Sequence, residues 1–174
     1  LACFAPVEDK SKYTISLCAD IPDDRNPDRV VYRKEPGHVF IILEKKDSLQ
    51  AITMAQVFGF YPRRPTSSII FKNVRCRILD NGKRTYNAAV TRKVTAVEFN
   101  AILDKAKTLT LKKYNINDYN CYDYALELFN SVPGMEQIPV RHIKFPFIFG
   151  RGGSPCALYR DLEKLQHNGS AWAP

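Results

Sequence analysis

The chain has 174 residues, with 26 Lys and Arg against 18 Asp and Glu, a formal charge of +8 and a pI near 9.3. Apolar residues make up 45% and charged residues 25%, which excludes a disordered or collagen-like chain. No apolar run approaches the roughly 18–20 residues of a membrane-spanning helix. The length suits one domain with its own core, residues 1–174 with the core over about 13–165. The basic balance favours anionic partners without choosing among nucleic acid, lipid head groups and cell-wall polymers.

In chain order, Tyr13 to Asp20 alternates and is β-rich, which predicts a strand. Ile21 to Pro36 is rich in proline and charge and reads as a solvated loop. Gly37 to Lys46 contains the run Val39-Phe40-Ile41-Ile42-Leu43, β-branched and too short for a buried helix, hence a central strand. Ala51 to Tyr61 continues the sheet and stops at Pro62. Ser67 to Leu79 reads as a further strand, Asp80-Asn81-Gly82 supplies hairpin turn chemistry, and Lys83 to Val94 is then its partner.

Helical periodicity takes over at Thr95. Thr95-Ala96-Val97-Glu98 is a capping box, and the spacing of Phe99, Ile102, Leu103 and Ala106 carries a helix to about Leu111. A second helix begins near Cys121, with Tyr124, Ala125, Leu128 and Phe129 on one face, and ends before Pro133-Gly134. Pro139 to Pro155 is loop-like, and Cys156 to Gln166 forms a last short helix. The fold class is α+β, an antiparallel sheet packed against helices.

Chemistry concentrates at Cys121. Polar residues (Asn115, Asn117, Asp118, Asn120) deliver it to the first turn of an apolar helix. There the partial positive charge of the helix terminus favours thiolate, and free amides are placed to hold an oxyanion. Of the three histidines, His38 is the best base, because it opens a central strand where a helix N-terminus can cross the sheet edge. The competing reading is structural, since cysteine is among the most buried residue types and a histidine opening a strand is often a core residue. His142 and His167 fall in loop and tail sequence. Phe145 to Phe149, interrupted by Pro146 and followed by glycines, is a candidate flap or a loop covering a sheet edge. The basic stretches Tyr61 to Arg64 and Arg75 to Arg84 carry no nucleic-acid motif and read as solvated surface or an anion-binding face.

Four segments occur in one order: Gly37-His38-Val39-Phe40, Phe58-Gly59-Phe60-Tyr61-Pro62, Val94 to Asn100, and Asn120-Cys121-Tyr122-Asp123-Tyr124-Ala125. Together with Gly152-Gly153-Ser154-Pro155 they resemble a family of bacterial, often secreted, circularly permuted papain-like cysteine hydrolases with a G-H-x-F … F-G-F-Y-P … N-C-x-D-[FY]-A signature. Lecithin retinol acyltransferase-like and cell-wall amidase-like proteins share that arrangement. The resemblance implies His38 as general base and Cys121 as nucleophile on an amide or ester carbonyl. It also implies a third polar residue orienting the histidine, for which Gln56 and Asn87 are the candidates. Asn120 and Asp123 are expected to brace the loop and helix start.

The implied activity is amidase or peptidase action on a peptide or amide, cell-wall peptide first, with no metal or organic cofactor and no nucleic acid. The implied location is the cell envelope or the secreted fraction. A catalytically inactive binding or structural domain on the same scaffold is the alternative, and an acyltransferase a further one. With Cys121 free, the other four cysteines of the five are expected in two bridges, Cys3–Cys18 with Cys76–Cys156 being one of the pairings.

Overall fold

The strands form where apolar side chains recur at every second position and so share one face. The computed structural model describes residues 2–4, 7–8, 10–33, 35–47, 51–64, 73–134, 136–145 and 150–167. β1 (Lys12–Asp20) buries Tyr13, Ile15, Leu17 and Ala19 on one face. Val39, Ile41 and Leu43 of β2 (His38–Lys46) and Phe58 and Phe60 of β3 (Ile52–Pro62) continue that face. β4 (Cys76–Asp80) and β5 (Ala88–Val94) complete an antiparallel sheet of order β4-β3-β2-β1-β5.

The expected hairpin between β4 and β5 does not form. Gly82 N–H donates to Asp80 Oδ1 at 2.8 Å and Arg84 N–H to Asn81 O at 2.8 Å, so the chain does turn there. It then leaves for the far edge of the sheet, where β5 pairs with β1, Val90 opposite Leu17 and Val94 opposite Tyr13. The reason lies in burial: β4 is largely exposed, whereas β5 alternates buried and open positions. Only β1 offers a matching apolar row. Residues 67–72 of the expected strand lie outside the described residues.

α1 (Ala96–Leu109) starts at the anticipated capping box, with Thr95 N–H donating to Glu98 Oε2 at 2.7 Å and Glu98 N–H to Thr95 Oγ1 at 3.2 Å. α2 (Cys121–Phe129) runs across β1, β2 and β3 and buries seven of its residues. Asp123 and Glu127 mark its more open flank. The stretch read as loop contains a small hairpin, β6 (His142–Lys144) with β7 (Arg151–Gly153), whose strands are too short for periodicity to reveal. Residues 146–149 of the expected flap lie outside the described residues. α3 (Pro155–His167) closes the described chain against β1 and β5. Among the described residues no helix is long and apolar enough to cross a membrane.

The cysteines correct the expected bridges: all five are free. The Cys3 thiol donates to Gln56 Oε1, that of Cys76 to Thr110 O and that of Cys156 to Arg29 O, and Cys18 is enclosed in the sheet. Their places in the fold keep them apart.

Arg92 occupies a core position on β5, 1% exposed. Its guanidinium lies 4.4 Å from the Phe129 ring and donates to the carbonyls of Phe129 and Glu136. A cation at the C-terminus of α2 meets the negative end of the helix dipole and satisfies carbonyls that the helix leaves open. Arg92→Ala is therefore expected to destabilise the protein by about 2–4 kcal/mol, measured by urea unfolding. An unchanged midpoint would show that water replaces the guanidinium without cost.

Candidate functional site

Asn120 builds the site. As N-cap of α2 its Oδ1 accepts from Tyr122 N–H at 2.8 Å, while Asp123 Oδ2 accepts from Asn120 N–H at 2.9 Å, a second capping box. Asn120 Nδ2 donates to Ile116 O at 2.9 Å and Gly153 O at 3.0 Å, which ties β7 to the helix start. The glycines of β7 make that approach possible. A Cβ on Gly153 would lie 2.2 Å from Tyr122 Cδ1, and one on Gly152 would lie 2.2 Å from Ile116 O.

This junction sets Cys121, 8% exposed, at the end of the sheet where β2 begins. The backbone amides of Val39 and Tyr122 lie close enough to its sulfur to favour the thiolate. His38 precedes Val39, so the two side chains leave opposite faces of the strand. Val39 joins the core beneath α2, and the His38 ring, 3% exposed, stacks on Tyr61 at 4.2 Å with Phe40 at 6.1 Å. Cys121 and His38 thus meet at one end of β2, but no hydrogen bond joins their side chains.

Above Gly59 two buried polar atoms, His38 Nε2 and Asn81 Oδ1, lack a hydrogen-bond partner among the described residues. They stand 2.2 Å and 3.1 Å from where a Gly59 Cβ would sit. Asn81 Nδ2 donates to Tyr61 Oη at 2.7 Å. The residue beside the histidine is therefore Asn81, which sequence reasoning took only as turn chemistry. The two expected candidates sit elsewhere. Asn87 is spent on bracing a loop, its Oδ1 accepting from Ile21 N–H at 2.9 Å and its Nδ2 donating to Asp24 at 2.8 Å. Gln56 pairs with Leu43, five positions along β2 from His38, or about 16 Å at strand rise. His142 lies on β6 with Nε2 2.6 Å from Asp123 Oδ1, so its partner is the capping carboxylate rather than the thiol. Of the His167 side chain nothing is described.

Burial governs the electrostatics. It pushes the Cys121 thiol up to about 11, with Asp123 adding to the rise; the Val39 and Tyr122 amides and Arg84 oppose it without prevailing. The thiolate expected from the helix terminus is absent at neutral pH, because a helix dipole is worth roughly 0.3–1 kcal/mol and a pKa unit about 1.4 kcal/mol. Burial, then Arg84, pulls His38 down to about 3. Arg84 itself is held by Asp20, Nε to Oδ2 at 2.6 Å. The resting pair is thiol and neutral imidazole. A separate groove of about 540 Å³ runs along the Asp123 and Glu127 flank of α2; its lysines, Lys105 and Lys112, both pair with Glu127.

Comparison with protein-family models gives no match, and neither curated proteins nor solved structures match the chain significantly.

Two measurements probe this geometry. As pH falls, the unfolded chain protonates His38 near its ordinary 6.5 while the folded chain resists to about 3. The folded state is thus favoured fully above pH 6.5 and loses that contribution toward pH 3. His38→Gln is expected to flatten the fall of the melting temperature across that window; an unchanged slope would mean that the folded protein already accepts the proton. Gly59→Ala is expected to displace the imidazole and cost about 1–3 kcal/mol, read by urea unfolding. A neutral effect would show that the space above Gly59 is slack.

Proposed function

We propose that the protein is a cysteine hydrolase acting on amide or ester carbonyls, with Cys121 as nucleophile, His38 as general base and Asn81 orienting the imidazole. The observation that carries this reading is the coincidence at one end of β2 of a helix-terminal cysteine with two buried polar atoms, His38 Nε2 and Asn81 Oδ1, that lack partners. Buried polar atoms without partners are costly and tend to be kept where they act. The chain order His38, Asn81, Cys121 agrees with a permuted papain-like arrangement, and Cys-His-Asn is a known variant of the catalytic triad.

In the proposed reaction the Cys121 thiol passes its proton to His38 as sulfur bonds to the carbonyl carbon. The imidazolium then protonates the departing amine or alcohol, leaving a thioester on Cys121. Water, deprotonated by His38, adds to the thioester, and the thiolate leaves and recovers the proton. Because the resting pair is neutral, proton transfer accompanies attack instead of preceding it, and Arg84 stabilises the transient thiolate. Cell-wall peptide is the substrate that the family resemblance suggests. A location outside the cytoplasm rests on that resemblance too; the free thiols do not call for it.

A second reading, a binding domain that keeps the scaffold without turnover, is favoured by the missing hydrogen bond between His38 and Cys121. Activated p-nitrophenyl esters separate the two in a Cys3→Ser background, which removes the exposed thiol. Hydrolysis is expected to vanish in Cys121→Ala, to fall about 10²-fold or more in His38→Ala and by less in Asn81→Ala, with an acyl adduct on Cys121 in the mass spectrum. Turnover that survives Cys121→Ala refutes the nucleophile, and no turnover or adduct at all selects the binding domain. Capture of the acyl group by an added amine identifies an acyltransferase.

A further inference from the structure

Four of the twelve arginines are held by carboxylates. Arg29, Arg84, Arg141 and Arg160 each pair with a carboxylate: Asp23, Asp20, Asp161 and Asp28. Arg63, Arg75 and Arg77 are exposed and have no ion-pair partner among the described residues.

Their placement is ordered by the β3–β4 ladder. Arg77 stands opposite Tyr61, and Arg63 N–H donates to Arg75 O at 2.8 Å, continuing the pairing by one step. Residues opposite each other share a face, and so do residues two apart on one strand. Arg63, Arg75 and Arg77 therefore project with Tyr61 from the face that carries His38, and no Asp or Glu of β3 or β4 shares it. Like charges facing each other across a ladder are destabilising. An intervening anion turns that repulsion into bidentate attraction.

We infer that Arg63, Arg75 and Arg77 receive a phosphate or carboxylate carried by the substrate. This inference rests on the reading of Cys121 and His38 as the reacting pair. Adjacent strands lie about 5 Å apart, so an anion held over Arg77 is within about 10 Å of the ring that Tyr61 covers. That is the span of a short polar segment beside a scissile carbonyl. The requirement is for an extended, negatively charged substrate lying along the β4 edge of the sheet.

Tripolyphosphate and tricarballylate serve as probes, titrated by calorimetry at low salt into the Cys3→Ser protein. Two further charge variants are compared with it. R75E/R77E alters the proposed edge, and K12E/K93E makes the same net charge change toward the opposite edge of the sheet, on β1 and β5. Binding of at least one probe is expected, weakened about tenfold or more in R75E/R77E and less than about threefold in the control. The preferred probe identifies the group. No binding, or equal weakening in both variants, overturns the inference in favour of a general effect of net charge. Alkylation of Cys121 by anionic iodoacetate and neutral iodoacetamide is followed in parallel. A ratio favouring iodoacetate that drops in R75E/R77E places the anion site beside the thiol. Slow alkylation by both reagents, with Arg-dependent probe binding intact, removes the nucleophile and leaves the anion site standing.

Discussion

The buried junction at Asn120 carries the architecture around the candidate site. One side chain caps α2, receives support from Asp123 through its own amide, and holds both the preceding turn at Ile116 and the strand β7 at Gly153. Such a residue is exchanged only at a cost, because each hydrogen bond its side chain makes is to a backbone group. The position of Cys121 follows from it. So does the close packing of Gly152 and Gly153, since a side chain there would strike the turn or Tyr122.

Desolvation decides the charge state of everything this junction encloses. A helix N-terminus, two amides on sulfur and a nearby arginine all favour thiolate, yet Cys121 remains a thiol because those contributions are smaller than the cost of burying the charge. The same burial keeps His38 neutral. A site of this kind differs from a cysteine–histidine ion pair that is reactive at rest. Arg84, tethered by Asp20, is the charge within electrostatic reach of Tyr61, His38 and Cys121 alike.

The basic excess is distributed by function. Arg92 is spent inside, on the end of α2, while the paired arginines fasten loops and helices to one another. Among the described residues the arginines of the β4 edge make no ion pair, and charged side chains on an edge strand discourage pairing with another chain.

Local pattern in the sequence determined the elements. The alternation at Tyr13–Asp20, the β-branched run after His38 and the Thr95–Glu98 box each depend on neighbours a few residues away, so composition sufficed. The helix starting at Cys121 was legible for the same reason, and Asn120 with Asp123 already suggested its brace. The partner of β5 was not legible, because a turn sequence at Asp80–Gly82 describes how the chain bends and not which strand has a matching apolar row. Nor was the place of Asn81, which comes beside His38 only because Gly59 leaves the space. The sequence alone placed a cysteine at a helix terminus and a histidine at a strand start. Tertiary structure decided that both lie at the end of β2, without a hydrogen bond between them and buried deeply enough for desolvation to outweigh the helix dipole.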